Sequence, residues 1–198
     1  MFISFEGIDG CGKSSQATLL AEALRTEGQE LILTREPGGS PGAEEIRRLL
    51  VEGVGERWSP ETECLLFTAA RRDHLERTIR PALESGQTVI TDRFADSTRV
   101  YQGVARGDLR ELVDRLHELM IATEPDRTFV IDIDPATALA RGKARGGSED
   151  RFESLGLGFQ QRLAQGFRDL AQEYPDRVRL INGSGDPGEV AARVRAAL

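Results

Sequence analysis

The sequence predicts an α/β protein with a five-stranded parallel sheet held between two layers of helices. Two observations carry this expectation. Short apolar runs of strand length alternate with longer stretches whose apolar residues recur at helical spacing. Each strand-length run is separated from the next by helical sequence, which is the pattern of a parallel sheet covered on both faces. The chain has 198 residues, 39% of them hydrophobic. That suits one globular domain over 1–198 with a small mobile insert, and it supplies enough apolar material for a full core.

Phe2 to Ile8 reads as a buried strand. Ser14 to Arg25 follows as a helix, with Ala17, Leu20, Ala21 and Leu24 on one face and Gly28 past its end. Leu31 to Leu33 is the second strand and Glu44 to Val51 a short helix. Ser59 and Pro60 offer an N-cap and a first-turn proline to a helix through Leu65, Leu66, Ala69 and Leu75. Pro81 kinks that helix or begins a new turn, because proline lacks an N–H for the preceding turn. Thr88 to Thr91 is the third strand. Asp108 to Met120 is amphipathic, with Asp108 and Glu111 spaced as a capping box. Thr128 to Ile133 is the fourth strand, Pro135 to Arg145 a helix, and Arg145 to Gly158 a polar, glycine-rich loop. A helix to about Tyr174, a fifth strand from Val178 to Ile181 and a helix from Pro187 to Leu198 complete the pattern.

Composition removes several classes of function. A net charge of -7 argues against general nucleic-acid binding. No apolar run reaches the length of a membrane span. The N-terminus runs directly into a strand with no basic segment before it, so no signal peptide is expected. Cys11 and Cys64 are the only cysteines, and a bridge to Cys11 would tether a glycine loop. Both are read as reduced thiols of a cytoplasmic protein. Lysine occurs only at 13 and 143. Base composition accounts for the surface arginines that replace it, and Lys13 stands out accordingly.

Gly7-Ile8-Asp9-Gly10-Cys11-Gly12-Lys13-Ser14 fits the phosphate-loop pattern GxxxxGK[ST] between a strand and a helix. Glycines let backbone N–H groups turn inward around phosphate oxygens, and the helix N-terminus adds partial positive charge. Lys13 is placed to sit between β- and γ-phosphates, and the Ser14 hydroxyl to bind Mg²⁺. The expected nucleotide-binding set is Gly7, Ile8, Asp9, Gly10, Cys11, Gly12, Lys13, Ser14 and Ser15. A plain glycine turn explains Gly7 or Gly12 but not Lys13 and Ser14 in register. Neither lysine follows an Asn and no DxxG switch stands outside the phosphate loop, which argues against a GTPase.

Two further segments follow strands and so fall at the same sheet edge. Asp92 in Thr91-Asp92-Arg93-Phe94 is an oxygen ligand suited to Mg²⁺ or its waters. Arg93, and Arg35 in Thr34-Arg35-Glu36-Pro37-Gly38-Gly39, can hold a second phosphate bidentately. Taken singly, each arginine also reads as an ordinary surface residue.

These segments, with LLFTAAR at 65–71, Asp96-Ser97-Thr98, Tyr101-Gln102-Gly103 and Asp150-Arg151-Phe152-Glu153, resemble thymidylate kinases of the bacterial type in order and spacing over nearly the whole chain. The resemblance implies a P-loop NTPase fold, ATP as phosphoryl donor with Mg²⁺, dTMP as acceptor, and a homodimer with a face drawn from the helices between 60 and 122. It implies that Phe67 stacks on the thymine ring and Arg71 hydrogen-bonds the base. Ser97 and Thr98 lie near the base's polar edge, and Tyr101 lies under the sugar with Gln102 beside it. Asp9 lies near the sugar 3′-OH and the phosphates, and Arg35 and Arg93 hold the acceptor phosphate. The residues alone leave other readings open: Phe67 as a core side chain, Arg71 as a solvated helix residue, Ser97 and Thr98 as helix caps, Tyr101 as an ordinary half-buried tyrosine. His74 and His117 receive no role.

Some thymidylate kinases carry an arginine inside the phosphate loop. None stands here between Asp9 and Gly12. The resemblance then implies that a lid at about 142–158 supplies the charge, through Arg151 first and Lys143 or Arg145 second. A solvated charged loop is the alternative. Lys13, Asp9 and Arg93 complete the expected catalytic set. A kinase for another monophosphate or for a deoxynucleoside, and a switch protein that only binds nucleotide, remain the competing functions.

Overall fold

The chain begins with β1 (Phe2–Glu6), α1 (Lys13–Thr26), β2 (Leu31–Arg35), α2 (Pro41–Val51) and α3 (Pro60–His74). A π-helical turn (Leu75–Ile79) leads into α4 (Arg80–Glu84), β3 (Thr88–Asp92) and α5 (Ala95–Val100). A second π-helical turn (Tyr101–Ala105) precedes α6 (Arg110–Met120), β4 (Arg127–Asp132), α7 (Pro135–Arg145), α8 (Gly156–Glu173), β5 (Val178–Asn182) and α9 (Pro187–Ala196). This computed structural model describes residues 1–52, 57–105, 107–145 and 155–198.

Among the described residues the strands form one sheet in the order β2-β3-β1-β4-β5, and every pairing is parallel. The predicted α/β architecture is therefore the observed one. β1 is the central strand. The chain leaves its carboxyl end towards β2 on one side, while β4 continues to β5 on the other. A crevice opens where connections diverge in this way, and ligands bind there in open α/β sheets.

Side chains alternate across β1 with period two. Ile3 and Phe5 join the larger core cluster with Leu20 and Leu24 of α1, Leu163 and Phe167 of α8, and Val190 and Val194 of α9. Phe2 points to the opposite cluster, with Leu75, Ile79, Val89, Phe94 and Ile121. Ser4 and Glu6 share the face of Phe2, and both are fully buried. That face of the central strand therefore turns polar towards its carboxyl end.

The polar seam continues into α5. The Ser4 hydroxyl lies 2.8 Å from Thr128 Oγ1. Asp96 accepts from Arg177 at 2.6 and 2.9 Å and from Arg99 at 2.7 Å. Arg99 reaches on to Asp114 and Glu124. Asp96 and Arg99 are 2% and 3% exposed, so each charge is neutralised inside the protein. No element is predicted from sequence between 93 and 107, because Ala95 to Ala105 buries polar side chains and lacks apolar helical spacing.

One local expectation is corrected. Leu109, not Asp108, is the N-cap of α6, and no side chain caps it. Asp108 sits at φ 50, in the left-handed region, which takes it out of the extended conformation an N-cap needs. A capping box does occur at α9, where Asp186 and Glu189 satisfy each other's backbone N–H groups. At Pro81 a new helical segment begins as expected, α4, and the helix widens at the join. Arg80 N–H bonds back to Leu75 O, a five-residue span that accommodates the missing proline donor at 81.

Glu6 accepts from Phe94 N–H at 2.7 Å and from the Ser97 hydroxyl. Burial, reinforced by Asp96 and opposed by Arg93, pushes its carboxyl up from an ordinary 4.5 to about 7. A folded-state value above the unfolded one favours the protonated form in the native state. Its contribution is therefore complete below pH 4.5 and lost as pH rises towards 7. Glu6→Gln, which stays neutral, should gain about 3 kcal/mol relative to wild type between pH 4.5 and pH 8. Urea unfolding at both pH values measures this. A stability difference that does not change with pH would contradict it.

Candidate active site

The turn from Gly7 to Gly12 leaves the carboxyl end of β1 and enters α1. Gly12 is the N-cap at φ 99, and the first turn of α1 carries no acidic residue and no side-chain cap. The positive end of the helix is therefore open to an anion. Gly10 is at φ 79, and a Cβ there would lie 2.1 Å from the Ala138 carbonyl oxygen of α7. Only glycine fits that close approach. Lys13 is 7% exposed, and its Nζ donates to Asp9 Oδ1 at 3.2 Å and to the Ile8 carbonyl at 3.4 Å. Ser15 is exposed on the first turn of α1. Cys11 and Cys64 are free and buried, and burial pushes both thiols up, that of Cys64 to about 11.

Arg93 stands at the carboxyl end of β3 with φ 73, a left-handed conformation in a non-glycine residue. That turn points its guanidinium back at the phosphate loop. Arg93 Nη2 donates to Asp9 Oδ1 at 2.5 Å and to Tyr101 Oη at 3.1 Å. Its Nη1 donates to the Gly7 carbonyl at 3.2 Å and to Ser97 Oγ at 2.7 Å. The guanidinium carbon lies 5.0 Å from the Tyr101 ring centroid. Tyr101 is buried, which pushes its phenol well up, and its O–H donates to Asp9 Oδ2 at 3.0 Å. Burial opposes the charge on Asp9, but Arg93 and Lys13 outweigh it and hold the carboxyl well below the usual range. One carboxylate thus ties a cation of the loop to a cation of β3.

The Ser14 hydroxyl donates to Asp92 Oδ2, and the other oxygen, Asp92 Oδ1, is buried with no hydrogen-bond partner. An orphaned carboxylate oxygen beside a serine hydroxyl is the donor set a Mg²⁺ ion takes when phosphates and waters complete its shell. The residues present fit that ion. No group of three or more His, Cys, Asp or Glu residues that could hold a metal ion occurs among the described residues.

Arg71 is placed differently from a solvated helix residue. It is 4% exposed. Its Nε donates to Glu36 at 2.7 Å, and its Nη2 to Thr98 Oγ1 at 2.9 Å and to the Phe94 carbonyl at 3.2 Å. Phe67 is half-buried and belongs to neither core cluster of the described residues. Ser97 and Thr98 lie inside α5 and do not cap it; both bond arginines of the site. Gln102 is buried on the second π-helical turn and donates to Glu63 at 3.1 Å. Arg35 is exposed, with Glu44 at 3.5 Å. Arg151 lies outside the described residues, as do the side chains of Lys143 and Arg145.

Sequence reasoning passed over Glu6, Glu36 and His74. Glu6 and Glu36 stand inside segments singled out for other residues, and only burial distinguishes them from surface acids. No helix among the described residues is long and apolar enough to cross a membrane.

A family model described as Thymidylate kinase matches residues 5–194. A thymidylate kinase of Ruegeria pomeroyi is 66% identical over 98% of this chain and 92% of its own length. One from Dinoroseobacter shibae is 68% identical over 99% of this chain and 95% of its own. The crystal structure of thymidylate kinase from Ehrlichia chaffeensis superposes with a TM-score of 0.82 at 36% identity, covering 100% of this chain and 97% of that one. Phosphate loop, sheet order and similarity along nearly the full length agree, and the chain belongs to the thymidylate kinase family.

Proposed function

We propose that this chain transfers the γ-phosphoryl group of ATP to dTMP, giving ADP and dTDP. The observation that carries the reading is the sharing of Asp9 between Lys13 and Arg93. Lys13 belongs to the loop that takes the donor triphosphate, and Arg93 to the strand end that faces the acceptor. Two phosphate groups arriving from opposite sides compete with Asp9 for these cations and meet between them.

The acceptor phosphate is mostly dianionic near pH 7, since its second pKa is about 6 by analogy with phosphoserine. It needs no strong general base. The task left to the protein is to hold two mutually repelling anions in line and to neutralise their charge. Backbone N–H groups of Gly7 to Ser15 and the open end of α1 cradle the donor phosphates, and Lys13 reaches the γ-phosphate. Arg93 and Arg35 hold the acceptor phosphate. Ser14 and Asp92 would hold Mg²⁺, which would supply neutralising charge to the donor phosphates. Arg71 and Phe67 meet the base, with Thr98 and Ser97 at its edge. Tyr101 and Gln102 lie on the sugar side, and the Asp9 carboxylate faces the 3′-OH.

We place the remaining charge on a lid at about 142–158 of this single 1–198 domain, with Arg151 first and Lys143 or Arg145 second. A closing lid excludes the water that would otherwise take the phosphoryl group. Exposed Leu65 on α3, and Leu119 and Met120 on α6, support a homodimer through that side of the molecule. Two free cysteines and the absence of a spanning helix among the described residues support a cytoplasmic location.

ADP release at fixed Mg·ATP with a panel of monophosphates tests the reaction. The expected result is release stimulated most by dTMP, and stimulation by another monophosphate alone would reassign the acceptor. Lys13→Ala should lower kcat by about two to three orders of magnitude while the thermal transition persists. Near-wild-type turnover would remove the loop from catalysis. Phe67→Ala should raise the KM for dTMP by about tenfold or more, the range of base–aromatic stacking, and leave the KM for ATP unchanged. An unaltered dTMP KM would take Phe67 out of the site.

A further inference from the structure

Thr34, Glu36 and Gly39 of the segment 34–39 are not absorbed by the reading above, which uses only Arg35. All three converge on His74. Glu36 is 5% exposed and His74 fully buried. Glu36 divides its two oxygens: Oε2 accepts from Arg71 Nε at 2.7 Å, and Oε1 lies 3.0 Å from His74 Nδ1. His74 Nε2 lies 2.8 Å from Thr34 Oγ1. With the ring proton on Nδ1, the imidazole donates to Glu36 and accepts from the Thr34 hydroxyl. Gly39 closes over the same ring. It is at φ 86, and a Cβ there would lie 2.4 Å from His74 Nε2 and 2.5 Å from Thr34 Oγ1.

We propose that Glu36 and His74 form a buried strut that fixes the Arg71 guanidinium for the base of the acceptor, and so act as positioning residues for base selection. The inference rests on the reading that Arg71 meets the base.

The geometry supports it in three ways. A guanidinium is planar, so fixing two of its nitrogens fixes the direction of the third. Here Nε is fixed by Glu36 and Nη2 by Thr98 and the Phe94 carbonyl. Nη1 makes no hydrogen bond among the described residues and is the edge left for a ligand. Second, Glu36 cannot rotate away from Arg71 without breaking its contact with His74, whose ring is held on its far side by Thr34 and by the Gly39 backbone. Third, stability alone does not call for this arrangement, since a buried ion pair is often no more stabilising than apolar side chains of the same volume.

Arginine donates and never accepts. A donor held in one direction favours a base that presents a carbonyl oxygen there, and rejects one that presents an amino group. A donor free to swing discriminates less. The strut therefore acts on the choice between dTMP and dCMP without touching either.

The test uses the full chain and three variants, Arg71→Ala, Glu36→Gln and His74→Gln, with steady-state kinetics for dTMP, dCMP and ATP. Glu36→Gln and His74→Gln should each raise the KM for dTMP about tenfold and lower the dTMP-to-dCMP ratio of kcat/KM by a similar factor. The KM for ATP should stay within about twofold. Adding His74→Gln to Arg71→Ala should do no further harm to dTMP binding, because the strut then has nothing to hold. His74→Gln carries the test if Glu36→Gln does not fold. A folded His74→Gln protein with wild-type dTMP KM and base ratio, set beside an impaired Arg71→Ala, would overturn the strut. A fall in kcat with both quantities unchanged would show a merely structural role and overturn it equally. A wild-type dTMP KM in Arg71→Ala would instead overturn the placement of the base, and the strut with it.

Discussion

Asp9 is the point on which the site depends. It lies one turn past the central strand, accepts from Lys13, Arg93 and Tyr101, and stays ionised against its own burial because those donors outweigh desolvation. Three structural elements meet at that carboxylate: the phosphate loop, the end of β3, and the π-helical turn after α5. Without it, two cations would face each other across a narrow gap. With it, the two cations are held close together at the carboxyl end of the central strand.

The central strand makes this arrangement possible by being two-sided in character. One face is apolar and packs on α1, α8 and α9. The other begins apolar at Phe2 and becomes polar at Ser4 and Glu6. α5 lies over that polar face, and its own side chains answer it: Ser97 to Glu6, and Asp96 to Arg99, Arg177 and Thr128. A short helix with few apolar residues is thereby tied to the sheet by hydrogen bonds and ion pairs as well as by Ala95 and Val100.

What could be read from the sequence was whatever depends on near neighbours. The loop, the strands, α1 and the proline-led start of α3 follow from local pattern, and the positions of Asp92 and Arg93 follow from their place at and just past the end of a strand. The rest depends on pairs far apart in the chain. Arg71 looks like a surface arginine until Glu36, thirty-five residues away, is set beside it. α5 carries no apolar periodicity because its polar side chains answer Thr128 on β4, Arg177 just before β5, Asp114 on α6 and Glu124 in the segment leading to β4. The Asp108–Glu111 spacing matched a capping box that the backbone at 108 does not allow, while the real one at Asp186 and Glu189 had the same spacing. Spacing alone cannot separate the two, since the difference lies in φ at the first residue.

The contact of Gly10 with the Ala138 carbonyl couples the phosphate loop to α7 as one rigid piece. Position 10 has neither the room nor the backbone conformation for a side chain. An arginine cannot be grafted there by a single exchange. α7 would have to retreat first. A larger residue at position 10 therefore requires coordinated change in the phosphate loop and in α7, two stretches more than a hundred residues apart in the chain.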